Sequence, residues 1–239
     1  MSTINPLILA LDTDNLDHAA AWIEATNGSI KTYKTGLEFF LTFGADGISR
    51  LRNYGDFDLF LDLKLHDIPH TVAGATRAVS HLNPKFLTVH ASGGAAMIEA
   101  AVADAPHIDI TAVTILTSLS TEELAKVGFA KPPLESAISL AKKSVNAGAR
   151  AIVCSPLEVS GIRAAIGTER TIITPGVRPA GSAMGDQTRV MTPRDAIAAG
   201  STYLVIGRPI TSLFNESEAT SLNMMSDMAK RILEDATSD

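Results

Sequence analysis

Thiols are nearly absent from this chain, which holds one cysteine, Cys154, inside the apolar run Ala151–Cys154. No disulfide can form within the chain, so stability has to come from a packed core, and Cys154 reads as a reduced core thiol. Positive charge is also scarce. Lys and Arg number 20 against 26 Asp and Glu, a net charge of −6, which argues against a general nucleic-acid binder or a basic membrane-surface protein. A local basic site for a small anion remains allowed. No apolar run is long enough to span a bilayer, and MSTINPLILALD lacks the basic region of a secretory signal, so the expected location is the cytoplasm and no membrane partner is expected. Several motifs are missing as well: a Walker A loop, a dinucleotide fingerprint between strand and helix, His-Glu-x-x-His, and a Gly-x-Ser-x-Gly elbow. His66 and His70 stand four apart, but Pro69 and a strand-to-helix break separate them, which argues against a metal site. Nothing calls for a covalent nucleophile, a metal or an organic cofactor.

What is present is enough apolar material for a large core. Of the 239 residues, 46% are hydrophobic and 19% charged, a composition and length suited to a single α/β barrel domain over residues 1–239. Short β-like runs recur at Leu7–Leu11, Ile30–Lys34, Phe57–Leu63, Phe86–His90, Asp109–Leu116, Ala149–Cys154, Thr171–Thr174 and Tyr203–Ile206. Between them the period lengthens. Val72, Ala75, Val79 and Leu82 follow the spacing of a helix face, as do Leu222, Met225, Ala229 and Ile232, and the Met224–Met225 pair reads as helix packing. Pro69 marks a helix start and Asn146-Ala147-Gly148 a helix stop. Eight alternating units predict a closed (β/α)₈ TIM barrel, with an open doubly wound sheet as the alternative.

In such barrels chemistry sits at the C-terminal ends of the strands. Those ends carry Asp12, Lys34, Asp62 with Lys64, His90, Thr117-Ser118, Pro175-Gly176 and Gly207-Arg208. The third is the most unusual. FDLFLDLKLHDIPHT (Phe57–Thr71) has the unbroken apolar run of a buried parallel strand, interrupted by Asp62 and Lys64. In a regular strand these two share a face, and buried charges need partners. An ion pair of purely structural role at the sheet mouth satisfies the same pattern. A second cluster follows strands seven and eight, where barrels of this kind bind phosphate. There Gly207 and Arg208 open a helix, and a Gly- and Pro-rich loop from Thr174 to Pro193, long enough for a lid, carries Arg178, Gln187 and Arg189.

With these residues in view, the chain resembles the orotidine 5′-monophosphate decarboxylase family, of the bacterial type. The resemblance spans LALD (Leu9–Asp12), YKTG (Tyr33–Gly36), VHASGG (Val89–Gly94), LTS (Leu116–Ser118), TPGVRP (Thr174–Pro179) and VIGR (Val205–Arg208), and is most specific in DLKLHDIPHT (Asp62–Thr71). It implies removal of CO₂ from orotidine 5′-monophosphate without metal or organic cofactor, by a homodimer with shared active sites. It further implies a charged array of Lys34, Asp62 and Lys64, completed by Asp67 from the partner subunit, with Lys64 as proton donor to C6. Asp12 and Lys34 would meet the ribose, with the partner's Thr71 nearby, and Ser118 the pyrimidine. Gln187 and Arg208 would hold the phosphate. Ile68, Pro175, Arg178 and Gly207 would complete the substrate pocket.

Two other readings share parts of this pattern. Sugar-phosphate decarboxylases and aldolases that resemble the family also carry Asp-x-Lys-x-x-Asp, but use Mg²⁺ held partly by a carboxylate at the end of the second strand, where this chain has Lys34. A non-catalytic barrel that binds a phosphate ligand would have no need of a lysine buried among carboxylates.

Overall fold

The structure, a computed structural model, describes residues 4–179 and 191–238. Eight parallel strands close into a barrel in sequence order. They are β1 (Leu7–Ala10), β2 (Thr32–Thr35), β3 (Asp58–Leu65), β4 (Phe86–His90), β5 (Asp109–Val113), β6 (Ala151–Val153), β7 (Thr171–Pro175) and β8 (Tyr203–Ile206). Closure is made by β1 against β8, with Leu7 opposite Leu204 and Leu9 opposite Ile206. The connecting helices are α1 (Leu16–Thr26), α2 (Leu37–Leu51), α3 (Pro69–Ser80), α4 (Ala95–Asp104), α5 (Thr121–Lys126), α6 (Pro133–Asn146), α7 (Val159–Ile166), α8 (Pro193–Ala198), α9 (Arg208–Thr211) and α10 (Ser221–Thr237). The expected (β/α)₈ barrel is therefore the observed one, and no helix among the described residues is long and apolar enough to cross a membrane.

The alternation along each strand sorts side chains into two layers. Leu7, Leu9, Leu59, Leu61, Leu87 and Val89 point outward into the apolar layer between barrel and helices. Ile8, Phe60, Phe86, Ala151, Ile173 and Tyr203 point inward and fill the barrel. Within that filling Phe86 meets Phe60 and Tyr203 edge to face, with centroids 5.7 and 5.4 Å apart, a favoured aromatic geometry. The barrel interior is thus a solid floor, and open space begins only above it.

Local chemistry sets the element ends. The Asn15 side chain accepts from the N–H groups of Asp17 and His18 to cap α1, and Ser120 with Glu123 forms a reciprocal capping box on α5. Pro69 occupies the first turn of α3, and Gly148 takes φ +95° just beyond α6, a conformation that suits glycine. Three expectations need correction. The strand expected over Asp109–Leu116 ends at Val113, because the chain turns at the mouth, where the Leu119 N–H donates to the Leu116 carbonyl. The buried face of α3 is Val72, Ala73, Thr76 and Val79, with Ala75 only half-buried. α3 packs against α4 as well as the barrel, so its apolar stripe is rotated toward both. In α10, Met225 is buried and Met224 exposed, so only the first packs.

Phe86 touches no part of the mouth and serves the floor. Phe86→Ala is expected to cost about 3–5 kcal/mol of stability, as large core truncations do. Denaturant unfolding checks this; a loss below about 1 kcal/mol would show that the floor is not packed as described.

Candidate active site

The first strand ends bring their charges together. Lys34 is buried one residue before the end of β2, and its Nζ donates to Asp12 Oδ1 at 2.8 Å, just past β1. The same ammonium lies 3.5 Å from Asp62 Oδ2, which also accepts from Lys64 Nζ at 2.8 Å. A Cβ on Gly36 would sit 3.3 Å from the Lys34 ammonium, so the absence of a side chain there leaves the array its space. Asp62 Oδ1 accepts from the Thr88 hydroxyl at 3.0 Å. One carboxylate is thereby shared by two ammonium groups and a hydroxyl.

Asp62 and Lys64 do face the same way, but not through regular strand alternation. Between Leu61 and Leu65 the β3–β4 pairing advances only from Leu87 to Val89, so β3 bulges there. Lys64 takes φ +48°, in the left-handed region, which side chains with a Cβ rarely occupy. The bulge re-aims Lys64 at the mouth, a usual role for such irregularities next to active sites.

The electrostatics follow from burial and pairing. Burial alone raises a carboxyl pKa, yet Lys34 and Lys64, with hydrogen bonds from Lys64 and Thr88, hold Asp62 below the usual carboxylate range. Burial depresses Lys34 while Asp62 and Asp12 outweigh it, so its pKa stands above the ordinary lysine value. Beside the array His90 is pushed down, first by burial and then by His66 and Lys64. Its ring lies 5.3 Å from that of His66, so His66 pairs across to β4 rather than along its own chain to His70. Burial pushes the Cys154 thiol up, which suits the inert core thiol expected of it, although it also touches the cleft.

Above the aromatic floor lies a cleft of about 330 Å³, lined on one side by Asp12, Lys34, Asp62 and Lys64 and on the other by Pro175, Arg178, Gly207 and Arg208. Arg178 is buried, and its Nε has no hydrogen-bond partner among the described residues. Arg208 opens α9. Of the other expected site residues, Ser118 stands exposed at the rim while its neighbour Thr117 lines the cleft. Asp67, Ile68 and Thr71 are exposed and are not among the residues that line this cleft. Asp67 Oδ1 accepts from the N–H of Ile68, and no ion pair joins it to Lys64. Gln187 and Arg189 lie outside the described residues. Sequence reasoning passed over the apolar wall, Val113, Ile115 and Val153, which looks like any strand end, and Thr88, the one alcohol in β4.

A closed parallel barrel whose C-terminal mouth carries a cleft of ionised side chains is the arrangement of a barrel enzyme. The chain belongs to the orotidine 5′-phosphate decarboxylase / HUMPS family, whose pattern matches residues 5–221. It is 52% identical over 206 residues to the orotidine 5′-phosphate decarboxylase of Thermobifida fusca (strain YX), covering 86% of this chain and 88% of that one. It is 45% identical over 226 residues to the enzyme of the same name from Paramagnetospirillum magneticum, covering 90% and 95%. The crystal structure of orotidine 5′-phosphate decarboxylase from Lactobacillus acidophilus is similar at a TM-score of 0.82 and 33% identity, covering 98% of this chain and all of that one.

The depressed Asp62 carboxyl has a consequence for stability. A group whose folded pKa lies below its unfolded value contributes stability that is full above about pH 4 and lost as pH falls through the folded pKa. Asp62→Asn leaves two ammonium groups without their shared carboxylate and is expected to lower Tm at pH 7. That deficit should shrink below about pH 4, as wild type protonates Asp62. Thermal unfolding of both proteins from pH 7 to about pH 2.5 reads the difference; a gap independent of pH would contradict the assignment.

Proposed function

We propose that this chain decarboxylates orotidine 5′-monophosphate to uridine 5′-monophosphate and CO₂, the last step of de novo pyrimidine synthesis, with Lys64 as the proton donor. The observation that carries this reading is the Lys34–Asp62–Lys64 ladder in the cleft of a chain of this family. Breaking the bond from C6 to the carboxylate leaves an electron pair on C6. Stabilising it requires a cation already aimed where that charge develops, since a preorganised group costs no rearrangement during the reaction. The Lys64 ammonium supplies the charge and then a proton to C6, and recovers a proton from solvent. Asp62 fixes that ammonium and sits where the substrate carboxylate would be crowded.

Lys34 and Asp12, paired beside the array, suit the ribose hydroxyls, and the rim near Ser118 suits the pyrimidine. Across the cleft, Gly207 and Arg208 with Pro175 and Arg178 suit the phosphate, to which Gln187 would add. The phosphate does not react, so its binding energy can serve the transition state at C6. The Mg²⁺-dependent sugar-phosphate reading is disfavoured by Lys34, whose ammonium occupies the second strand end. The reading keeps the enzyme in the cytoplasm, as one barrel domain.

The active unit in this reading is a homodimer with shared sites. Asp67, Ile68 and Thr71 lie together on the exposed segment after β3, and 65% of the Ile68 surface is open in the single chain, a poor place for an isoleucine unless a partner covers it. From there Asp67 would reach the partner's array.

The direct test is loss of orotidine 5′-monophosphate absorbance with purified protein in excess chelator. Activity is expected, and Lys64→Ala should reduce it by more than about 10⁴-fold, since both the countercharge and the proton are lost. A variant that keeps a tenth of the rate would show that another group protonates C6. Loss of wild-type activity on chelation, restored by Mg²⁺, would favour the sugar-phosphate reading instead.

Shared sites make a separate prediction. Mixing inactive Lys64→Ala and Asp67→Ala subunits should restore activity, because each heterodimer gathers both changes in one site and leaves the other intact. With free exchange, recovery should approach about a quarter of wild type for a two-fold dimer. Heterodimers as inactive as their parents would place the work of Asp67 within its own chain.

A further inference from the structure

Thr88 lies fully buried in β4 between apolar neighbours. Its hydroxyl is used twice: it accepts from the backbone N–H of Lys64 at 2.8 Å and donates to Asp62 Oδ1 at 3.0 Å. The direction of both bonds is forced. An ionised carboxylate can only accept and an amide N–H can only donate, so the hydroxyl proton goes to Asp62 and a lone pair faces Lys64. These bonds meet at the bulge, where β3 slips against β4 and Lys64 holds its left-handed φ of +48°. A lysine stays in that region only where its surroundings over-determine it. The other oxygen of Asp62 meets the ammonium of Lys64. One side chain on β4 therefore ties down both the main chain that presents Lys64 and the carboxylate that aims it.

We propose that Thr88 is a positioning residue for decarboxylation, setting the aim of the Lys64 ammonium through its backbone and through Asp62. The proposal rests on the reading of Lys64 as the proton donor. Thr88 is not among the residues that line the cleft, so it acts on the reacting atoms through these two residues and makes no direct contact with substrate. Its β-branch restricts χ1, which keeps the hydroxyl between its two partners.

The test is a set of variants assayed for kcat and KM with orotidine 5′-monophosphate, beside thermal unfolding and binding of the product uridine 5′-monophosphate. Thr88→Val keeps the shape and removes the hydroxyl. It is expected to lower kcat about tenfold to a hundredfold, the equivalent of one hydrogen bond to a charged group. KM and product affinity should change by less than about threefold, since binding groups are untouched. Thr88→Ser, which restores the hydroxyl without the methyl, should recover most of the lost rate. A readout that needs no turnover is the NMR titration of the Asp62 carboxyl carbon. It should move upward in Thr88→Val, because a hydrogen bond to the ionised form is gone.

A kcat for Thr88→Val within about twofold of wild type would overturn the proposal, as would an unchanged Asp62 titration or a serine variant as impaired as the valine one. If the valine variant fails to fold, Thr88→Ala and Thr88→Ser carry the comparison: alanine is expected to lose rate and serine to keep it, and equal rates overturn the claim. A wild-type protein inactive on orotidine 5′-monophosphate would instead refute the decarboxylase reading, while the Asp62 titration still decides the role of Thr88.

Discussion

Two ammonium groups sharing one buried carboxylate is the constraint on which this molecule turns. Placed in a barrel mouth without Asp62, Lys34 and Lys64 would repel each other and each would lose hydration. Placed there without the lysines, the Asp62 carboxyl would have its pKa pushed up by burial. Together they keep Asp62 ionised against its own burial and keep Lys34 charged in the same way. Arrays of this kind are weak contributors to stability, because desolvation offsets most of the Coulombic gain. What they provide is charge fixed in place, which in the proposed reaction serves the developing carbanion.

The rest of the fold serves that placement. Parallel strands end together on one face, so residues distant in sequence (Asp12, Lys34, Asp62) converge without any special loop. Below them Phe86, packed edge to face on Phe60 and Tyr203, fills the barrel, so the cleft has an apolar floor. The loops after β7 and β8 deliver Arg178 and Arg208 to the same cleft. The bulge in β3 departs from ideal geometry, and it falls at Lys64, the proposed proton donor. Strain at such a position is retained where neighbouring groups hold it.

Asp67, Ile68 and Thr71 form an exposed charged and apolar segment after β3. The proposed two-fold assembly would give that segment a role, since the same patch on each copy would meet its partner. Arg178 is buried, and its Nε has no hydrogen-bond partner among the described residues; a guanidinium there suits an anionic group.

The sequence by itself determined the barrel and the identity of the array. Eight apolar runs alternating with helix patterns pointed to a barrel over an open doubly wound sheet, and Asp62 and Lys64 stood out because charges in such a run are expensive unless paired. Strand ends were legible to within a few residues, as hydrophobic period is a local property. Ser118, which the resemblance implies at the pyrimidine, stands exposed beside Thr117, which lines the cleft. The meeting of Asp62 and Lys64 followed from alternation on paper, whereas in the molecule it depends on a bulge against β4 that no local signal in DLFLDLKL announces. Thr88 is the sharpest case. It is 26 residues from Asp62 and reads locally as one polar position in FLTVH, and only the register between two strands gives its hydroxyl both partners. Local pattern decides which elements form; which atoms they bring within hydrogen-bonding distance is decided by tertiary register, since that is set by every contact in the barrel at once.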